Sequence, residues 1–311
     1  MLGESFEHPQ PEQTMPGVGK TPRLLIENLR GNARIVGADA DTVKASGRMS
    51  VRSFKQSDAE KVCKDCKLEI VRQGDLIVVR TNQDRAPSST KVTADLEITV
   101  PRGATVEARG LYGDFELVDI AGQSTINGSY RGEMTFRNLA KPVRVEDQRD
   151  ELRCERIPGT VSMSRGEFSG NDVVGPIIIR GQSKDVELSN FTESLEVSVD
   201  RGDIDIRPGR TPMGKMDVKT RGGNVTLALP AAAKFAIEAT TDRGEIDNSY
   251  GEPLRQDHSG KGAKLEGSVG AGPVLRIHTD RGTVHVNKGE MVPPVPPTPP
   301  APPAAPKVER L

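Results

Sequence analysis

The sequence predicts an all-β chain: a single-stranded β-helix or β-solenoid with a β-rich N-terminal cap. Three observations carry this expectation. Apolar and polar residues alternate at period two along most of the chain. Glycines recur at gaps that cluster around one or two multiples of about 20 residues. The core supply is thin and aliphatic, with 34% hydrophobic but only 3% aromatic residues, no Trp, 32 Gly and 23 Pro among 311 residues. Such a composition serves a deep globular core poorly, whereas stacked coils bury small Val, Ile and Leu rows against neighbouring coils. A β-sandwich of many hairpins is the alternative. It shares the strand spacing and Gly turns but ordinarily buries a large aromatic.

In chain order, residues 1–21 are rich in Pro, Gln and Glu and are expected to be a flexible N-terminal segment. Residues 22–100 read as a β-rich N-terminal section capping the solenoid, with LLIENL, ARIVGA, TVKASGRMSV, KLEIV, DLIVV and VTADLEITV as its strands. Gln73 and Gly74 mark a tight hairpin there, and SDAEKVCKDC is the one helical candidate. Residues 101–290 are expected to be the β-solenoid proper. Residues 291–311 hold a proline tract and are expected to be a disordered tail, extended and without a core of its own.

Within the solenoid, LEVSVDRGDIDI, MDVKTRGGNVTLAL, FAIEATTDRGEIDNS and LRIHTDRGTVHV share one form: apolar-x-apolar, a polar turn with Arg-Gly, then apolar-x-apolar. Leu195, Val197 and Val199 point one way, and Ile204 and Ile206 resume that face after the turn. Glycine at the turn permits positive φ, so Gly132, Gly166, Gly202, Gly222, Gly244 and Gly282 are expected to be structural corners.

These residues resemble a bacterial family of presumed adhesins of unknown function (domain of unknown function 4097), related in pattern to autotransporter adhesin head domains. The resemblance covers about residues 22–290 and rests on IVGAD, on ITVPRGATVEA and on coils such as VSVDRGDIDI and IHTDRGTVHV. It implies a β-solenoid fold and a place outside the cytoplasm, in the cell envelope, and it supplies no catalytic residues.

The surface is where function must be sought. Arg131, Arg165, Arg201, Arg221, Arg243 and Arg281 are expected at equivalent corner positions, with Asp200, Asp242 and Asp280 directly before three of them. One reading is a ladder of Arg–Asp pairs, and this is the reading the sequence favours. The other is a ridge for an anionic polymer such as an acidic polysaccharide. An enzyme reading would use Asp203, Asp205, Glu245 and Asp247 as outward carboxylates, but strands carry such residues by default and the chain lacks aromatic platforms for sugars.

Other functional classes find little footing. Lys+Arg number 43 against 44 Asp+Glu, for a net charge of -1, and no long block has one sign, so no nucleic-acid partner is expected. No apolar run could span a bilayer, and the first residues lack a signal-peptide pattern, which leaves a cytoplasmic location as the alternative. Cys63 and Cys66 form a single CxxC with Cys154 far off, half of a tetrahedral zinc set. His278 and His285 flank a corner that would direct them apart. No cofactor or metal is expected. The function the sequence supports is a non-catalytic, adhesin-like scaffold facing an envelope component or another protein; a carbohydrate-active β-helix and a cytoplasmic polymerising solenoid are the alternatives.

Overall fold

The alternating rows form strands that pass back and forth between two long sheets, and each passage makes a corner. The computed structural model describes residues 4–27, 29–88 and 90–290. Among these, sheet 1 has 14 strands and sheet 2 has 13. A coil runs one strand in sheet 1, turns, and runs the next in sheet 2: Thr105–Tyr112 to Phe115–Val118, Ser124–Arg131 to Met134–Leu139, Leu195–Arg201 to Ile204–Arg207, Met216–Gly222 to Val225–Pro230. Neighbouring coils pair in parallel with like residues in register, so Val186, Ile204, Val225 and Val284 form one inward row of sheet 2. The rows of the two sheets share one core running from Leu24 to Val286. This is a β-solenoid of long parallel sheets, held by apolar burial that no single coil could achieve alone.

The ends depart from a serial stack. Arg23–Glu27 lies between Leu76–Arg80 and Thr105–Tyr112, and Ala33–Ala38 lies between Lys91–Pro101 and Phe115–Val118. Residues 22–100 are therefore built into the stack itself, with the first coil inside the second. The last coil does the same: Val274–Arg281 pairs with both Met216–Gly222 and Phe235–Arg243. Val284–Gly289 likewise pairs with both Val225–Pro230 and Ile246–Asn248. Each such coil gains two hydrogen-bonded neighbours in place of an open edge.

Residues 4–15 were expected within a flexible segment, but Glu4–Met15 forms an edge strand antiparallel to Val43–Ser53. It is held from within, because the Leu68 N–H donates to Gln10 Oε1 at 2.9 Å. Pro9 and Pro11 remove donors from this edge, which makes it a poor template for another chain. The helical stretch is Gln56–Asp65, and Gly74, at φ +65, turns the hairpin that pairs Gln73 with Leu76. The proline tail falls outside the described residues.

Between Leu139 and Ile177 the stack reverses direction. Val143–Glu146 and Glu151–Cys154 form an antiparallel pair in sheet 1, Ile157–Met163 and Glu167–Val174 another in sheet 2. A second antiparallel step, from Glu151–Cys154 to Ile177–Ser183, restores the original direction.

At the corners, backbone packs on backbone. Gly132, Gly202, Gly223 and Gly282 have φ of +99, +133, +149 and +151. A Cβ at Gly202 would lie 2.2 Å from the Lys184 carbonyl oxygen, at Gly223 2.0 Å from that of Gly202, and at Gly282 2.0 Å from that of Gly223. The residue after each corner then ties the coils together: the backbone N–H of Asp203 donates to Asp185 Oδ1, that of Asn224 to Asp203 Oδ1 and that of Thr283 to Asn224 Oδ1. Asp95, Asn32, Asp114 and Glu133 repeat the arrangement in the N-terminal coils.

Two expected corner glycines sit elsewhere in this scheme, and a third, Gly244, keeps its corner place beside Gly282 with a different backbone. Gly222 precedes the corner, which falls on Gly223, and Gly166 lies in a turn of the reversed segment; a Cβ on either meets nothing within 4 Å. Gly244 keeps an ordinary φ, yet its Cβ would lie 2.0 Å from the Gly282 carbonyl oxygen. Gly223→Ala should therefore destabilise the fold by about 1–3 kcal/mol, from positive φ and the carbonyl clash together. Gly222→Ala should fall within about 0.5 kcal/mol of the parent. Urea unfolding of the two variants measures the contrast, and equal losses would refute the corner assignment.

Candidate functional site: the corner edge

The residue just before each corner projects at the rim where sheet 1 turns into sheet 2. Across the strands this rim row reads Arg30 beside Tyr112 and Tyr112 beside Arg131. Beyond the reversal it continues with Ser183 beside Arg201, Arg201 beside Gly222, and Arg281 beside Arg243. Chain order is not spatial order, since Arg281 stands between the Met216–Gly222 strand and Arg243. Arg281 and Arg243 are direct lateral neighbours, one strand spacing of about 4.8 Å apart along the backbone. Arg30, which the Arg-Gly pattern also marks, was overlooked because it lies before the clear repeats.

The six expected arginines are thus not equivalent. The extra Gly223 displaces Arg221 by one residue, into the row of Asp200, and Arg221 pairs with Asp200 at 3.5 Å. Arg131 lies over the Tyr112 ring, 6.0 Å from its centroid. Arg201, Arg243 and Arg281 have no carboxylate within ion-pair distance among the described residues. A groove of about 620 Å³ runs beside this rim, lined by Gln182, Ser183, Arg201, Arg221, Asp280 and Arg281, with Asp200 and Gly222.

Arg165 leaves the rim altogether. It reaches into the reversal, 2.5 Å from Asp147 and 3.0 Å from Asp150, with its guanidinium 4.2 Å above the Tyr130 ring. The Tyr130 hydroxyl donates to Asp150 at 2.6 Å. Lys184, at the place a corner glycine would take, is wholly buried; it donates to the Ser164 carbonyl and lies 3.7 Å from Asp150. Burial pushes the Lys184 ammonium below the ordinary lysine range, and burial with the Asp150 carboxylate beside it pushes the Tyr130 phenol up. Burial opposes ionisation of Asp147, but the Arg165 guanidinium and the N–H groups of Arg149 and Asp150 hold its carboxyl below the usual range. This network fills the gap where the glycine ladder is interrupted.

The four outward carboxylates form two pairs, Asp203 with Asp205 on one coil and Glu245 with Asp247 on another. Asp205, Thr226, His285 and Asp247 stand side by side on successive strands, so the two carboxylates lie about 14 Å apart by strand spacing. Glycoside cleavage needs about 5–9.5 Å, which excludes pairing between the two coils but not between Asp203 and Asp205, two residues apart. Asp203 and Glu245 are separated by the same three strand spacings; Asp203 is held by the Asn224 N–H, and Asp205 by Arg207.

His278 and His285 sit on different sheets. Cys63 lies on the helix and Cys66 closes it; both are free, Cys66 is buried, and burial raises both thiols. Burial pushes the Cys154 thiol up to about 12. Among the described residues, no helix is long and apolar enough to cross a membrane.

A family model, Toastrack DUF4097, matches residues 95–287. Among solved structures, a presumed cell adhesion protein of Clostridium sporogenes is similar at 12% identity, covering 90% of this chain and 100% of that one, with a TM-score of 0.24. A presumed adhesin of Bacteroides fragilis is similar at 11% identity, covering 91% and 97%, with a TM-score of 0.42. No curated protein matches the chain.

Removing the acceptor at the centre of the buried network tests its structural weight. Asp150→Ala would leave Arg165, Lys184 and Tyr130 facing a vacant buried site, and a loss of about 3–5 kcal/mol is expected in chemical denaturation. A loss under about 1 kcal/mol would show that solvent reaches the network freely.

Proposed function

We propose, for a chain that belongs to the Toastrack DUF4097 family, that it works as a non-catalytic, adhesin-like scaffold of the cell envelope whose corner edge engages an anionic polymer. The observation that carries this reading is the lateral pair Arg281–Arg243 with Arg201 nearby, guanidiniums without carboxylate partners among the described residues along an exposed rim. Like charges in lateral register repel, and an anion lying along the rim relieves that repulsion. Arginine suits the task because its planar fork accommodates carboxylate or phosphate through two hydrogen bonds. The glycine ladder and the shared core hold the rim rigid, so little ordering entropy is lost on binding.

The adhesin resemblance of the corner motifs supports a place outside the cytoplasm. The engagement of Asp203 by the Asn224 N–H and of Asp205 by Arg207 supports the non-catalytic side of the reading. A rim contact of this kind is electrostatic and so weakens as salt rises.

The combined change of Arg201, Arg221, Arg243 and Arg281 to Ala tests the reading. All four side chains are exposed, Arg201, Arg243 and Arg281 on the rim and Arg221 on the adjoining face beside Asp200, so the variant should fold, with each change costing about 0–1 kcal/mol. Retention on immobilised polygalacturonate should be salt-sensitive in the parent and lost in the variant. Equal retention of two folded proteins would remove the polymer-binding role.

A further inference from the structure

We propose that Asp242, His278 and Asp280 form a binding site for a divalent transition-metal ion on the outer face of sheet 1. The site arises from a coincidence of phase. Phe235–Arg243 and Val274–Arg281 are parallel neighbours with Thr240 beside His278, Thr241 beside Thr279 and Arg243 beside Arg281, which sets Asp242 directly beside Asp280. Elsewhere along this row the charges alternate. Asp200 meets Arg221, displaced into the row by the extra glycine, and Arg221 in turn lies beside Asp280 but pairs with Asp200. Where two Asp-Arg-Gly corners meet in phase, two carboxylates face each other with no Lys or Arg within ion-pair distance among the described residues.

Carboxylates in direct lateral register repel, and a divalent cation between them offsets both charges. One ligand atom from each of the three side chains lies within 4.8 Å of the others. His278 completes the set: its Nε2 is 3.1 Å from Asp280 Oδ1, while its Nδ1 is 3.0 Å from Thr240 Oγ1. An Nδ1–H donated to the Thr240 hydroxyl leaves Nε2 free to ligate, the outer-shell arrangement that orients metal-binding imidazoles. Arg243 and Arg281 follow the carboxylates and so project to the opposite side of their strands, at the rim.

One imidazole with two carboxylates suits Zn(II), Co(II) or Mn(II) better than Ca(II) or Mg(II), which prefer oxygen alone. Three protein ligands leave a coordination position open to solvent. The site stands independently of the polymer reading.

Calorimetric titration of the untagged, full-length protein with Zn(II), and absorption titration with Co(II), test it. One equivalent should bind without a thiolate-to-cobalt charge-transfer band. His278→Ala and Asp242→Asn should each weaken binding by about 10-fold or more while leaving the metal-free protein folded and, for Asp242→Asn, no less stable than the parent, and Thr240→Val should weaken it by about 10-fold. No stoichiometric binding, binding unaffected in both His278→Ala and Asp242→Asn, or a thiolate band placing the ion at Cys63 and Cys66 would each overturn the proposal.

Discussion

The fold depends on a close approach of backbones at the corner. The carbonyl oxygen of one corner occupies the volume where the next corner's Cβ would lie, as between Gly202 and Gly223 and between Gly223 and Gly282. Only a residue without a side chain permits this, and positive φ then aims the following strand into the second sheet. Because the same contact recurs, the inward rows stay in register, and a core in which Val, Ile and Leu predominate, with Ala, Met and Phe between them, becomes continuous. The carboxylate or amide after each glycine accepts the N–H of the next coil and so satisfies a group that the turn would leave unpaired.

Where that contact fails, a costlier device replaces it. The reversed segment cannot continue the parallel ladder, and Lys184 stands where a glycine would. Its ammonium, the Arg165 guanidinium, the Asp147 and Asp150 carboxylates and the Tyr130 hydroxyl neutralise and hydrogen-bond one another there. Buried ion networks of this kind contribute less to net stability than apolar packing would, but they tolerate only one arrangement of their partners. The network thus specifies how the two halves of the stack meet.

The same corner geometry sorts charge onto separate surfaces. Successive strand residues face opposite sides, so in an Asp-Arg-Gly corner the Asp joins the outer face and the Arg joins the rim. A single added glycine, Gly223, moves Arg221 from rim to face and supplies Asp200 with a partner. Where no such shift occurs, at Asp242 and Asp280, like charges are left side by side on both surfaces. Unbalanced anions lie on the face and unbalanced cations on the rim.

Much of this was legible in the residues themselves. Period-two rows such as Leu195, Val197 and Val199 mark strands and their buried face, and the Arg-Gly turns mark corners, because both depend on local geometry. The all-β solenoid follows from them, and the family was legible as a resemblance carried by IVGAD, ITVPRGATVEA and the corner motifs. Spatial neighbours did not follow: the insertion of Val274–Arg281 beside Met216–Gly222, the pairing of Glu4–Met15 and the withdrawal of Arg165 into the interior depend on which strands compete for an edge. That competition is settled by long-range pairing, which leaves no periodic trace. The offset of one residue at Gly223 was visible as a second glycine, but whether the corner takes Gly222 or Gly223 is decided by register against adjoining strands. A shift of one position exchanges face for rim, so only the tertiary structure determines which charges meet.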